Sequence, residues 1–402
     1  MIRATSFLWL ALAALSAVSI FARSTAAAEP PSGDIQRWIK ELGDDDYQVR
    51  KAAADRLVQG GDVARAALVN VANGPDPETR FAARRLVTLI DESTFERQLA
   101  EFASDVDGQR GMTLPGWSAF REFVGTDAPS RELFVEMQRA EPELLRRMFD
   151  PSSHDHELNW EEQINRLLRA RIFTQPGQLS IPAGSSATLL FLGSLPDAKL
   201  SDGAAASLRQ LTQIPPLSEA LAAKRDGNAL RRLVCAWVIH CPNRSAIILQ
   251  QRLDAMFQHS LDECLPLALE LLEPKPEYLA VSPQQQMYAI LAVGRFGSEE
   301  NIAALEPLLD DQRECLSRQQ INGPANEQAS VQIRDVALAV LLRLTGQEPV
   351  TYGYVHARPH PQKLFEETSL YLESDERRAS ALEQWRAWRV QHRSVAPRPE
   401  SS

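Results

Sequence analysis

Asp46-Tyr-Gln-Val-Arg50-Lys-Ala52-Ala53-Ala-Asp-Arg-Leu57 and Asp76-Pro-Glu-Thr-Arg80-Phe-Ala82-Ala83-Arg-Arg-Leu-Val87 are two versions of one pattern, set 30 residues apart. The shift lays Asp46 on Asp76, Arg50 on Arg80 and Ala52-Ala53 on Ala82-Ala83. Each copy has a physical reading. An Asp caps the start of a helix, Arg follows in its first turns, small Ala residues let a neighbouring helix approach closely, and Leu57 or Val87 anchors the far end. One such helical hairpin cannot bury its own apolar face, so it has to stack on neighbours, which is the logic of a solenoid.

Around these copies, residues 34 to 90 carry apolar side chains at helical spacing with almost no β-branched alternation. A third occurrence lies far downstream, where Val331-Gln-Ile-Arg334-Asp-Val-Ala337-Leu-Ala-Val-Leu341 repeats the Arg, Ala, Leu spacing of Arg50, Ala53 and Leu57. Before it, Ala289 to Gly297 reads as a helix ended by Gly294 and Gly297, Ser298 as an N-cap, and Asn301 to Asp310 as the next helix.

Asp, then Val-Arg, then Ala and Leu at these spacings, with Gly-x-x-Gly between helices, resembles HEAT repeats of the short bacterial kind, the type also found in bilin lyases. The resemblance covers about 130 residues, Asp34 to Ile90 and Ala289 to Gly346. The ending, with Arg334-Asp-Val-Ala-Leu, Leu344-Thr-Gly346, Tyr352-Gly-Tyr354, Arg377-Arg-Ala, Trp385 and Trp388, is similar to that of exported bacterial HEAT-repeat proteins of unassigned function. What this implies is a fold, an all-α solenoid of the HEAT/armadillo type, and an address outside the cytoplasm. It implies no reaction, because HEAT units are defined by packing residues. The 30-residue period falls short of the roughly 40 to 47 residues of typical HEAT units, which predicts a thinner, more curved stack.

The N-terminus sets the expected address. Arg3 supplies a positive n-region, Phe7 to Phe21 an apolar stretch of 15 residues, and Ala26-Ala27-Ala28 a small-x-small site, so 1–28 reads as a signal peptide cleaved after Ala28. The apolar stretch falls short of the roughly 20 residues that span a bilayer. Cleavage removes Arg3 and Arg23 and no acid, so the net charge moves from −10 to −12, with 41 basic residues against 53 acidic. An acidic chain without a basic stripe argues against nucleic acid and anionic membranes as partners and leaves protein as the expected one.

The remaining divisions follow from pattern. Residues 29–105 form N-terminal HEAT-like repeats. Residues 106–280 form a middle helical region without a clean repeat, for example Asp127 to Phe149 and Asn228 to Ile239, punctuated by loops at Pro115 to Trp117 and Gln175 to Gly184. Residues 281–349 form C-terminal repeats. They contain an insertion at 311–333, since Asp310 precedes Arg334 by 24 residues where Asp46 precedes Arg50 by 4. With Cys315, Asn322-Gly323-Pro324 and Asn326, this insertion reads as a polar surface loop able to recognise a partner. Residues 350–392 form a helical cap whose start is charged by Ser374-Asp375-Glu376 and whose Leu382, Trp385 and Trp388 seal the last repeat; 393–402 reads as a disordered tail.

Chemistry is sparse. His154-Asp155-His156-Glu157 is the nearest approach to a metal cluster, but Trp160 stands where a zincin would place its second His, and a polar helix start explains the same residues. His240-Cys241 with Cys235 lacks zinc spacing, and Pro359 interrupts His356 and His360. Asn243-Arg-Ser245 reads as an accidental glycosylation tripeptide. Nucleophile elbows, phosphate-binding Gly-rich loops and Cys-x-x-Cys are all missing. Four cysteines are too few for a disulfide-built scaffold. Isolated buried thiols behaving as small hydrophobes are the favoured reading, with a Cys235–Cys264 bridge as the alternative. We therefore assign no catalytic, cofactor or metal residue and expect an exported interaction scaffold, with a metal protein or hydrolase centred on His154 to Glu157 as the alternative. A HEAT-like lyase that attaches tetrapyrroles is a further alternative, opposed by the export signal.

Overall fold

A computed structural model describes residues 32–150, 159–173, 182–214, 217–222, 228–273, 281–317 and 330–392. The described chain is all-α, with eighteen α-helices and two short strand pairs among the described residues. It forms two compact units, 1–101 and 102–402. Residues 1–31, with the segment read as a signal peptide, His154 to Glu157, residues 174–181 of the Gln175 to Gly184 loop and the tail at 393–402 lie outside the described residues.

In the first unit, α1 (Ser32–Glu41), α2 (Tyr47–Gln59), α3 (Gly61–Val71) and most of α4 (Pro77–Ser104) share one core. Its fully buried members recur along the helices as Ile35 and Leu42, Ala53 and Leu57, Ala64 and Leu68, then Ala83, Leu86 and Ile90. The two copies of the pattern are treated alike. Asp46 caps α2, accepting from the Gln48 N–H at 2.7 Å, and Asp76 accepts from the Thr79 N–H at 2.8 Å. Arg50 Nη1 donates to the carbonyls of Asp44 (2.7 Å) and Asp45 (2.9 Å), and Arg80 Nη1 donates to that of Gly74 (3.2 Å). In both copies a half-buried guanidinium therefore reaches back six residues and ties down the loop that feeds its helix. The contact fixes the path of the chain into the helix. Val87 is only half-buried, and Leu86 and Ile90 carry the apolar anchor of the second copy.

The second unit runs through α5 (Trp117–Val124), α6 (Ala128–Ala140), α7 (Pro142–Phe149), α8 (Trp160–Phe173), α9 (Ala183–Ser194), α10 (Asp202–Leu211), α11 (Leu217–Ala222), α12 (Ala229–His240), α13 (Ala246–Gln258), α14 (Leu265–Leu272), α15 (Pro283–Phe296), α16 (Ile302–Leu305), α17 (Ile333–Leu344) and α18 (Asp375–His392). The expected helix over Asp127 to Phe149 divides into α6 and α7, because the ring of Pro142 removes an N–H and clashes with the preceding turn. The expected helix over Asn301 to Asp310 likewise breaks into 3-10 turns around the short α16, since Pro307 cannot continue it. Ser298 does cap that segment, with Asn301 returning the bond to the Ser298 N–H at 2.9 Å.

Helices α9, α15 and α17 form the inside of this unit. α9 packs on α6 and α12, and α15 packs on α13, α14 and α17. They are buried on nearly every side, so helical periodicity fades along them: Gly184 to Ser194, Gln285 to Val293 and Asp335 to Leu342 are continuous buried runs. Gly184 permits the closest approach, since a Cβ there would stand 2.3 Å from the Glu136 carbonyl oxygen of α6. Arg232 of α12 ties α12 to the start of α6, with bonds to Asp127 Oδ1 (2.7 Å) and Oδ2 (2.9 Å) and to the Val124 carbonyl (2.6 Å).

Candidate functional site

The sequence candidates separate once placed in the fold. The four cysteines are buried free thiols, as the favoured reading expected, and not the Cys235–Cys264 bridge; Cys264 Sγ faces the Cys235 carbonyl at 4.0 Å. A hydrogen bond with Cys235 together with burial drives the Cys264 thiol far up, and burial raises Cys241 and pushes Cys315 up to about 12. Thiols held protonated are poor nucleophiles and poor metal ligands. His356 and His360 do separate work. The His356 ring stacks on Tyr371 (4.7 Å between centroids), with Glu373 at 3.5 Å, whereas His360 organises a turn. Asn243, of the glycosylation-like tripeptide, is engaged internally, donating to the Leu200 carbonyl at 2.6 Å. Among the described residues, His, Cys, Asp and Glu gather nowhere into a group of three able to hold a metal ion. No described helix is long and apolar enough to cross a membrane.

The insertion at 311–333 is more structured at its base than its composition suggests. β1 (Glu314–Leu316) pairs antiparallel with β2 (Val331–Gln332). Cys315, expected in a polar loop, is buried there and donates its thiol to the Val331 carbonyl at 3.1 Å. Residues 318–329, including Asn322-Gly323-Pro324 and Asn326, lie outside the described residues. Helix α18 follows Ser374, whose Oγ accepts from the Arg377 N–H. Leu382 and Trp385 are buried as a seal requires, while Trp388 is half-buried, stacked between Trp385 (5.3 Å) and His392 (4.3 Å).

Beneath α18, Arg378 and Asp335 of α17 form an ion pair, Nε to Oδ1 at 2.6 Å and Nη2 to Oδ2 at 3.0 Å, with side chains 6 % and 0 % exposed. Tyr354 is fully buried beside it and donates to the Asp335 carbonyl at 2.7 Å. Arg334, which the sequence sets in register with Arg50, does not clamp a loop; it binds the Gln332 side chain at 2.7 Å and approaches Asp375 at 3.7 Å.

A second strand pair, β3 (Pro359–His360) and β4 (Leu364–Phe365), folds over the ends of α15 and α17. It is held there by Glu367, which accepts from the Tyr288 hydroxyl at 2.9 Å and from Lys363 Nζ at 3.0 Å, with Lys363 also 4.9 Å above the Tyr288 ring. Burial alone would raise the Glu367 carboxyl, yet these donors and local backbone hydrogen bonding outweigh it and hold the carboxyl below its usual range. Burial beside Glu367 drives the Tyr288 phenol well up, so it remains a donor. Leu364 adopts φ 77, a strained region for a branched side chain, and its Cδ2 presses so close to Gly294 that a Cβ there would lie 2.7 Å away. The turn borders an open cavity of about 470 Å³. Arg295, Arg343 and His360 line it beside an apolar wall of Pro359, Pro361, Leu364 and Phe365.

A second cavity, of about 490 Å³, lies around α7 and α8, where buried Glu141 accepts from Ser185 Oγ and from Arg166 Nη2, both at 2.7 Å. Its rim mixes Glu143 and Asp150 with Arg146 and Arg147 and shows no net sign. Of the residues facing either cavity, the sequence singled out only His360, and that as a possible metal ligand. Compared with known proteins, the chain matches no family model and no curated protein.

Proposed function

We propose that this chain is an exported, non-enzymatic interaction scaffold, a HEAT-like solenoid of helical hairpins that holds another protein outside the cytoplasm after cleavage near Ala28. The observation that supports the solenoid reading is the shared clamp of Arg50 and Arg80, in which two copies of one sequence pattern make the same backward contact over the same six-residue span. Repeats of this kind offer surface along their length, and chemistry is not what they are built for. The first unit carries two exposed aromatic side chains, Tyr47 at 62 % and Phe81 at 72 %, of the residue type that anchors protein interfaces.

The test is site-specific photo-crosslinking in the producing cell, with a photoreactive residue at position 47 or 81, together with N-terminal sequencing of the exported chain. The expected result is a mature start at Glu29 and one reproducible protein adduct that a charged residue at position 81 abolishes. A chain retained in the cytoplasm, or no protein adduct where a control scaffold gives one, would refute the reading.

A further inference from the structure

We infer that the cavity beneath the β3–β4 turn is a binding site for a small organic anion, a carboxylate or phosphate group carried on a compact apolar body. The inference starts from charge. Most arginines of the second unit are spoken for: Arg131 donates to the Phe102 carbonyl, Arg252 to the Val238 and Ile239 carbonyls, and Arg231, Arg232 and Arg378 bind carboxylates. Arg295 and Arg343 are set apart by their shared placement. Both are exposed, both line this one cavity, and neither has a carboxylate or carbonyl partner among the described residues.

The plain alternative is that each arginine simply offsets the negative end of its own helix, since Arg295 lies in the last turn of α15 and Arg343 in the last turn of α17. A helix end carries only about half a negative charge, so two guanidinium groups over two helix ends leave a surplus of about one positive charge. That surplus stands in an otherwise acidic molecule of formal charge −10. Guanidinium is also the group whose planar fork matches a carboxylate or phosphate.

His360, which also lines the cavity, adds a donor. Its Nδ1 accepts from the N–H groups of Gln362 (3.2 Å) and Lys363 (3.1 Å), which assigns the neutral ring's proton to Nε2. The rest of the turn's lining is apolar, and a volume of about 470 Å³ lies within the range of small-molecule sites. A bare inorganic ion would leave that wall unused. The turn that supplies the wall is itself fixed by Glu367, Lys363 and Tyr288 and by Leu364 seated on Gly294, so the cavity is formed before a ligand arrives. The site does not depend on the scaffold reading, and protein crosslinking at position 81 can fail while this site binds its ligand.

The experiment is calorimetric titration of the whole purified chain with benzoate, phenyl phosphate, inorganic phosphate and neutral benzamide. Saturable binding of benzoate or phenyl phosphate is expected, tenfold or more tighter than benzamide, with the stronger of the two naming the head group. Inorganic phosphate should bind more weakly than phenyl phosphate. Arg295→Gln and Arg343→Gln should each weaken the anion about tenfold or more, as the loss of a charge-assisted contact does. Both side chains are exposed, so unchanged melting of these variants is the control for folding. Benzamide binding as well as benzoate, inorganic phosphate matching phenyl phosphate, unaltered affinity in both arginine variants, or no saturable binding of any probe at millimolar concentration would each overturn the assignment.

Discussion

In the first unit Arg50 and Arg80 lie half-buried along amphipathic helices and give their protons to loop carbonyls; in the second, Arg378 is almost inaccessible and gives its protons to Asp335, a carboxylate that water does not reach. The first use repeats with the sequence, because a clamp on the loop before a helix is a local device that each copy can make for itself. The second occurs between α17 and α18, whose residues are 43 apart, and has no counterpart in the first unit's repeat. Arg334 shows the difference within one motif: it keeps the spacing of Arg50 but, with the 311–333 insertion before it, has no short feeding loop to hold. Sequence repetition thus reports a local clamp only where the short feeding loop is kept, and says little about long-range pairs.

The comparison can be broken most forcefully at Arg378. Arg378→Ala would strand the buried Asp335 carboxylate, and unfolding in urea should show a loss of about 3–5 kcal/mol, whereas Asp335→Asn with Arg378→Met together should recover much of it. A single-variant loss below about 1 kcal/mol would place this pair with ordinary surface bridges.

Gly294→Ala comes next, because its new methyl would meet Leu364 Cδ2 and Val340 Cγ1 at 2.7 and 2.8 Å. Overpacking of this kind should cost about 1–3 kcal/mol in thermal unfolding. Gly203, which has nothing within 4 Å of a built Cβ, should accept the same change without such a clash.

A smaller effect is expected at Tyr288, where Tyr288→Phe removes one donor to Glu367 and should cost about 1 kcal/mol. The folded Glu367 carboxyl sits below its unfolded value, so its contribution is complete above the unfolded value of about 4.3 and is lost as pH falls through the folded one. Tyr288→Phe should therefore flatten the acid limb of the stability curve, and the variant and the native chain should converge in strong acid. An unchanged acid limb would mean that Tyr288 does not help to hold Glu367 ionised.

How much of this was legible follows from burial. The first unit's helices are half wet, so the Ala53 and Leu57 spacing and the Asp46 cap could be read directly, as could the helix start at Ser374. The interior helices α15 and α17 present apolar residues on every side, so periodicity could not say which neighbours they meet. Two breaks were signalled by Pro142 and Pro307 but overridden by the stronger apolar pattern around them. The cavity was hidden for another reason. Arginine in a last helical turn is ordinary capping chemistry, and nothing near Arg295 or Arg343 in sequence announces that Pro359 to Phe365 will fold over both.

The two N-terminal copies are one physical unit used twice only if both arginines do the same local work, and amide hydrogen exchange on Arg50→Ala and Arg80→Ala tests that most directly. Each variant should lose about 0.5–1 kcal/mol of local protection, confined to its own loop and the first turn that follows, at 44–50 for one and 74–80 for the other. If one substitution is silent while the other unfolds the whole unit, the shared clamp is a coincidence of spacing and the repeat reading fails with it.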